Sequence, residues 1–152
     1  ASDEQPLARH EKACPRPLIF HTMNEITGNT TVFGILADPI HHVKTPQRIN
    51  ALFDAQGFDG VMVPIHVSPQ DLPTVMAGLR RMHSLAGCVV TVPHKTAIAA
   101  LCDELTDAAR AVGAVNVIHR HPDGRVVGTM LDGEGFVAGL RQAGIEVLLV
   151  PA

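Results

Sequence analysis

The sequence predicts an α/β fold: an open, three-layer, mostly parallel sheet with one antiparallel hairpin strand and helices on both faces. Short runs rich in β-branched residues alternate along the chain with amphipathic stretches of helical period. Parallel neighbouring strands need a long connection, and a helix is its usual form, so this alternation favours a parallel sheet. A Pro-Asp-Gly turn at 122–124 separates two late strand-like runs and adds the hairpin.

The composition is typical of a globular domain and argues against several classes of function. Of the 152 residues, 46% are hydrophobic and 18% are charged, and the formal net charge is −3. Neither disorder nor nucleic-acid binding is favoured by these values. No apolar run approaches the roughly 18 residues of a membrane span, and no secretory leader is recognisable. The three cysteines lack C-x-x-C spacing and fit reduced thiols. We therefore expect a cytoplasmic protein without a nucleic-acid or membrane partner.

The first strand–helix unit follows a predicted N-terminal extension. Residues 1–29 show no sustained hydrophobic periodicity, whereas residues 31–36 form a run rich in β-forming residues that is soon followed by a proline. Thr45 is the predicted N-cap of the next helix, because Pro46 suits a first helical turn. This helix is expected to run to about residue 56.

In the second strand–helix unit, both the predicted strand and the predicted helix contain a proline. Residues 61–67 are a strand candidate in which Pro64 indicates an edge position or an irregularity, because proline cannot donate to a neighbouring strand. Ser68 and Pro69 then predict the N-cap and first residue of an amphipathic helix.

The stretch 87–95 is the feature around which the rest of the chain is organised. A buried strand passes here into a helical pattern that opens at Lys95 and is expected to reach about Cys102. A shorter helix is predicted to start after Thr106 and to end at Gly113.

The last part of the chain predicts the hairpin, a helix and one more strand. Residues 115–118 and 126–131 are the two hairpin strands. Asp132 follows directly and opens an amphipathic helix that stops near Gly144. Residues 147–150 are predicted to be a further buried strand.

Lys95 is the first candidate for chemistry. It follows a strand at the carboxyl edge of the predicted sheet, and ligands of open α/β sheets bind at that edge. The positive end of a helix disfavours a second positive charge, so we expect Lys95 to exchange protons more readily than a solvated lysine. The alternative is a lysine that merely starts a helix and leaves its amine in water.

Asp132 stands at an equivalent junction after another strand. If the two side chains meet, the carboxylate favours the ammonium form while the helix end opposes it, which suits a lysine that transfers protons. The alternative is a plain N-cap, the commonest role of an aspartate at a helix start.

Other kinds of site are not favoured. None of the nine histidines has the spacing of a zinc motif, so no metal is predicted. His42 and His94 are expected to line a loop or to bond to the backbone. No G-x-G-x-x-G, P-loop or nucleophile-elbow serine occurs in the sequence.

Four blocks of sequence, taken together, resemble the substrate-binding (N-terminal) half of the shikimate dehydrogenase family. They follow the family's order and spacing from about residue 31 to about residue 143, and the block 90–95 is the most specific of them. The blocks are 37–46 with Asn50, 87–95, 113–118, and 123–133 with Phe136.

The resemblance implies an activity and a set of site residues. Lys95 and Asp132 correspond to the family's catalytic pair, with Lys95 as proton donor and acceptor, and Thr45, Thr91 and Asn116 correspond to substrate contacts. The complete enzyme would interconvert 3-dehydroshikimate and shikimate with NADP, a step of aromatic amino acid biosynthesis. A small cyclic carboxylate is the implied partner, and a homodimer is compatible with the resemblance.

The sequence also departs from the family pattern, mostly by placing an apolar residue at a polar position. Val43 stands where the family has serine, Val89 where it has asparagine, and Val117 where threonine is common. Met130 and Leu131 replace an Asn-Thr pair. Sites that recognise hydroxyl groups by hydrogen bonding discriminate strongly between substrates. These changes therefore predict a less hydroxylated substrate or slow turnover of shikimate.

The resemblance divides the chain into a substrate-binding domain over 30–143 and the start of an NADP-binding Rossmann domain over 144–152. A non-catalytic small-molecule-binding domain on the same scaffold is the alternative. A reading frame that continues past Ala152 into a glycine-rich dinucleotide fingerprint would favour the enzyme.

Overall fold

The computed structural model describes residues 25–147. Most of the predicted extension over 1–29, most of the predicted strand over 147–150 and most of the expected Rossmann start over 144–152 therefore lie outside the described residues.

Strands and helices alternate through most of the described chain, as predicted. The strands are β1 Thr31–Ala37, β2 Gly60–His66, β3 Leu85–Val90, β4 Glu104–Leu105, β5 Val117–Arg120 and β6 Val126–Thr129. The α-helices are α1 Thr45–Gln56, α2 Leu72–Leu79, α3 Asp107–Val112 and α4 Asp132–Gln142, and a short 3₁₀ helix spans Ala97–Leu101.

The six strands form one sheet in the order β2-β1-β3-β5-β6-β4. Strands β1, β2 and β3 pair in parallel, β4 is parallel to β6, and β5 is antiparallel to both of its neighbours. Five strands therefore run in one direction and β5 alone runs in the other, which confirms the predicted fold class. Strand β2 lies at an edge, as Pro64 predicted.

Two predicted helix starts differ from the structure. Thr45 is the first residue of α1 rather than its N-cap, and Lys44 holds the cap position without a side-chain cap bond. Helix α2 begins at Leu72, later than Ser68 predicted. The Ser68 hydroxyl accepts from the Asp71 N–H at 3.2 Å and donates to its carboxylate at 2.7 Å, so it stabilises the turn before the helix.

The helix expected to open at Lys95 is only the short 3₁₀ turn over 97–101. A tertiary bond explains the difference, because the Lys95 carbonyl accepts from the Val115 N–H at 2.8 Å instead of serving a helix. The structure therefore lacks the α-helix whose positive end was expected to act on this lysine. The two-residue strand β4 was also not predicted, since two residues carry no periodicity.

An ion pair ties the end of α2 to the residues before β4. An Arg80 guanidinium N–H donates to Asp103 Oδ2 at 2.5 Å, and the same oxygen accepts from the Val126 backbone N–H at 2.7 Å. The Val126 bond first, and then the Arg80 bond and charge, lower the pKa of Asp103.

We expect Asp103→Asn to make the free energy of unfolding less dependent on pH in acidic buffer. A carboxyl group whose pKa is lower in the folded state stabilises the fold above its unfolded pKa, and this contribution disappears as the pH falls through the folded pKa. The difference in unfolding free energy between wild type and Asp103→Asn should therefore be largest above about pH 5 and shrink in more acidic buffer. Denaturant titrations across that range measure it, with the exposed Asp59→Asn as control. An equal difference at every pH would contradict this assignment.

Candidate active site

The direction of the strands brings four chain segments to one edge of the sheet. The carboxyl ends of β1, β3 and β6 lie at this edge, and so does the beginning of β5, because β5 runs the other way. Residues that follow β1, β3 and β6 therefore lie close to residues that precede β5. Such an edge is where open α/β sheets bind ligands.

Backbone bonds around Asn116 hold these segments together. The Val90 N–H at the end of β3 donates to the Asn116 carbonyl at 2.7 Å. The Asn116 N–H in turn donates to the carbonyl of Thr129, at the end of β6, at 3.0 Å. Together with the Val115 bond to Lys95, these contacts fix the loop after β3 against the start of β5.

Lys95 and Asp132 meet at this edge. Lys95 Nζ lies 2.5 Å from Asp132 Oδ2, with the two side chains 33% and 55% exposed. The hydrogen bond from Lys95, then the lysine charge and a bond from Asn116, lower the pKa of Asp132, while partial burial opposes them. The aspartate is thus held as a carboxylate, and the lysine amine is within reach of a ligand.

The alternative in which Asp132 is a plain N-cap is wrong. Helix α4 begins at Asp132 itself, Leu131 occupies the cap position, and no side chain caps the helix. The carboxylate turns instead toward Lys95 and Asn116.

Asn116 is the buried support of the pair, with 7% of its surface exposed. Its side-chain Nδ2 donates to Asp132 Oδ1 at 2.5 Å, and its Oδ1 accepts from the Leu131 N–H at 2.8 Å. Nδ2 carries two hydrogens, so one N–H is left for a ligand. From the residues alone nothing singled out Asn116. The sequence feature that could have identified it is its position immediately before an antiparallel strand. Such a strand begins at the edge of the sheet where the parallel strands end.

These residues line a cleft of about 330 Å³. The expected substrate contacts Thr45, Thr91 and Asn116 all border it, as do Val43 and Val89. The other positions that depart from the family pattern, Val117, Met130 and Leu131, do not. The full lining is Ile35, His42, Val43, Lys44, Thr45, Val89, Val90, Thr91, Lys95, Asn116 and Asp132.

Lys44 is the one lining lysine that the sequence did not single out. Its position in the sequence could have identified it, because it lies in the loop after β1, at the same edge of the sheet as Lys95. His42 lines the cleft and the buried His94 bonds to the backbone, as expected. His94 Nε2 donates to the Val67 carbonyl at 2.9 Å and anchors the loop that carries Lys95.

A larger hollow of about 900 Å³ lies at the opposite edge of the sheet, between the starts of β1 and β3 and the end of β5. Its lining includes His83, His119 and Arg120 but neither a lysine nor a carboxylate side chain. Size alone therefore does not identify a candidate site, whereas the paired ionisable groups favour the smaller cleft.

Nowhere in 25–147 do three histidine, cysteine, aspartate or glutamate side chains lie close enough together to hold a metal ion. None of the helices in that span has the length and apolar character needed to cross a bilayer.

The start of helix α4 does not have the features of a dinucleotide-binding turn. Helix α4 opens with Gly133 and Gly135, but a Cβ at either glycine would meet nothing within 4 Å, so neither position is kept open for a tightly packed neighbour. Asp132 and Glu134 occupy its first turn, and their negative charge disfavours a phosphate there.

The fold and the cleft define an α/β ligand-binding domain in which a lysine is paired with a carboxylate at the carboxyl edge of the sheet. A family model described as the shikimate dehydrogenase substrate binding domain matches residues 35–118. The chain belongs to the shikimate dehydrogenase family.

Individual relatives agree with this assignment. Shikimate dehydrogenase (NADP(+)) of Geobacter metallireducens is 44% identical over 128 residues, which are 84% of this chain and 43% of the relative. The same enzyme of Rubrobacter xylanophilus is 41% identical over 121 residues, 80% of this chain and 42% of the relative. The structure of Listeria monocytogenes shikimate 5-dehydrogenase with shikimate and NAD has 37% identity and a TM-score of 0.77, covering 81% of this chain and 42% of that one.

The chain thus spans about two-fifths of the length of these relatives. The family match ends at residue 118, before Asp132. The contact between Asp132 and Lys95 is therefore a finding of the structure itself.

Proposed function

We propose that this chain is the substrate-binding and proton-transferring part of an NADP-dependent oxidoreductase that interconverts 3-dehydroshikimate and shikimate, or a less hydroxylated analogue. The observation that carries the proposal is the 2.5 Å contact between Lys95 and Asp132 in a cleft at the carboxyl edge of the sheet. The relatives named above support the substrate class and the cofactor.

Lys95 is the proposed proton carrier. In the reducing direction its ammonium donates a proton to the carbonyl oxygen of the substrate as that carbon gains a hydride. In the oxidising direction its amine takes the proton of the hydroxyl as the hydride leaves. NADP supplies or accepts this hydride, and it would bind to a part of the protein outside residues 25–147.

Asp132 and Asn116 are the proposed positioning residues. The carboxylate holds the Lys95 amine through Oδ2, while Oδ1 is fixed by the Asn116 amide. Because Asn116 is also bonded through its backbone to the ends of β3 and β6, the pair is pre-organised before substrate binds. The free N–H of Asn116 and the hydroxyls of Thr45 and Thr91 are the proposed contacts to the ring.

The apolar side chains in the cleft support the choice of a less hydroxylated ring. Val43 and Val89 border the same space as the polar groups and offer no hydrogen bond. A ring hydroxyl placed against either valine would lose its bonds to water without replacement, at a cost of about 1–3 kcal/mol. A ring that lacks this hydroxyl avoids the loss.

The test is a steady-state comparison with the whole reading frame that encodes this sequence. Shikimate, quinate and shikimate analogues that each lack one ring hydroxyl are assayed with NADP. We expect turnover of a ring carboxylate, with the highest kcat/KM for an analogue that lacks one hydroxyl. A clear preference for shikimate would overturn the narrower claim and leave the family activity. Binding without turnover of any of them would show a non-catalytic domain instead.

A further inference from the structure

Arg120 is a deeply buried positive charge without an opposite charge beside it. It ends β5, lines the hollow of about 900 Å³ at the amino-terminal edge of the sheet and is 6% exposed. Its Nε–H donates to the Arg80 carbonyl at 2.8 Å, and no carboxylate within residues 25–147 forms an ion pair with it. A buried charge is costly unless it is paired. An anion in the hollow would supply the missing partner.

The free donors of Arg120 face this hollow. A guanidinium has five N–H groups, and the four on the two Nη atoms form no hydrogen bond within residues 25–147. Among the described residues, His94 Nδ1 is the one fully buried side-chain nitrogen or oxygen without a bond. The Nη atoms are therefore not fully buried, and Arg120 is accessible where it lines the hollow. A ligand there can reach them.

Further hydrogen-bond donors line the same hollow. Thr30 is 6% exposed, and its Oγ1 accepts from the Thr27 N–H at 2.9 Å, which leaves its own O–H to donate. His83 and His119 are exposed, and each imidazole offers at least one N–H. The hollow thus combines a planar, charged group with three neutral donors.

No negative side chain competes for these donors. Among the described residues that line the hollow there is neither an aspartate nor a glutamate. Asp123 follows the lining residue Pro122, but its carboxylate accepts from the Arg125 N–H at 2.9 Å and lies 4.0 Å from the Arg125 side chain. The electrostatic potential in the hollow is therefore positive, which attracts anions.

An irregularity in β3 opens the sheet at this place. Ala86 lines the hollow and has no partner on β1, although the residues on both sides of it are paired there. The pairing between β3 and β5 also stops one residue before Arg120. An extra residue in a strand bends it and interrupts regular pairing. The gap therefore arises from the strands themselves, and it leaves the end of β5 open to a ligand.

We propose that this hollow is a second ligand site, which binds a small molecule through a phosphate monoester group. A guanidinium matches phosphate with two parallel hydrogen bonds. A phosphate monoester has three terminal oxygens and nearly two negative charges, so it uses more of the available donors than a carboxylate does. The volume is in the range of small-molecule sites and leaves room for the rest of the ligand. The site lies across the sheet from Lys95 and Asp132 and does not depend on the proposed function.

The test is an NMR titration of the 152-residue chain at about pH 7.5, where a phosphate monoester carries nearly two charges. The probes are methyl phosphate and inorganic phosphate, with acetate as the carboxylate control. We expect both phosphates to shift the ring signals of His83 and His119 in a saturable way, and acetate to bind at least about tenfold more weakly. His66 pairs with Asp38 at the opposite edge of the sheet, so its signals should stay in place and serve as an internal control for pH.

Variants of the chain locate the bound phosphate. Arg120→Gln should weaken methyl phosphate at least about tenfold, the effect of losing a charged contact, and Arg120→Lys should weaken it less. Because Arg120 is buried, the exposed pair His83→Ala/His119→Ala is measured as well and should weaken binding at least about threefold. Lys95→Met, in the cleft at the other edge, should bind methyl phosphate like wild type.

Several outcomes would overturn the proposal. Loss of binding in Lys95→Met but not in Arg120→Gln would place the phosphate in the cleft. Equal affinity for acetate and methyl phosphate would remove the phosphate assignment. Signal changes that do not saturate would show only non-specific attraction of anions. If the Arg120 variants do not fold, unchanged affinity in the variant without both histidines overturns the proposal. None of these results depends on the turnover assay.

Discussion

Lys95→Met is expected to reduce kcat for the NADP-dependent oxidation of a ring carboxylate by a factor of about 100 or more, the usual effect of losing a general acid–base group. Nζ is the group held against Asp132 in the cleft, and methionine fills similar space without a proton to exchange. The measurement is steady-state turnover by the whole reading frame, with ligand affinity determined separately by calorimetry.

Lys95→Arg distinguishes proton transfer from simple charge pairing. Arginine can keep the ion pair with Asp132, but it does not give up its proton at any ordinary pH. We expect Lys95→Arg to bind substrate within a few fold of wild type and still to lose most of its turnover. Arg48→Met removes an exposed cation from α1 and serves as the control for charge alone. Near-normal kcat in Lys95→Arg would mean that the amine supplies charge and not a proton.

Gly87→Ala is expected to lower the unfolding free energy by about 3 kcal/mol, at the upper end of the cost of overpacking a tight interior. Gly87 lies in β3 opposite His119 of β5. A Cβ at this glycine would lie far inside contact distance of the Ile118 carbonyl oxygen, and its nearest neighbours are backbone atoms. No side chain can move aside to make room, so the pairing of β3 with β5 must shift.

Gly78→Ala in α2 is the matched control for the chemical change. A Cβ at Gly78 would meet nothing within 4 Å, and alanine in a helix is more favourable than glycine by roughly 0.5–1 kcal/mol. Denaturant unfolding should therefore show Gly78→Ala to be neutral or stabilised and Gly87→Ala to be strongly destabilised. A loss below about 1 kcal/mol in Gly87→Ala would show that the two strands separate easily.

The sequence was sufficient for the fold class and for placing Lys95 and Asp132 at the same edge of the sheet. The alternation of strands and helices predicts a parallel sheet, and residues that follow parallel strands share one edge. The sequence was not sufficient for the details of each loop. The expected helix at Lys95 is cut short by a bond from Val115, about 20 residues further along the chain, and no local pattern reports such a bond.

The supporting residues were also difficult to predict for physical reasons. Asn116 matters because its amide holds Asp132, which depends on the register between β5 and β6. Thr45 and Asp132 both resemble N-caps in the sequence, yet each lies in a helix rather than before it, and neither caps that helix through its side chain. The need for glycine at position 87 comes from a neighbouring strand, so it is invisible until the strands are paired.

The reversed direction of β5 bears on how this domain can diversify in evolution. The pair of Lys95 and Asp132 and its support Asn116 lie within one continuous stretch, from Lys95 to Asp132, and are held together by β3, β5 and β6. The connection that carries Lys44 belongs to a different stretch, between β1 and α1. Changes in its length or sequence need not disturb the pair, so new ligand preferences can arise there while the proposed reacting centre is inherited intact.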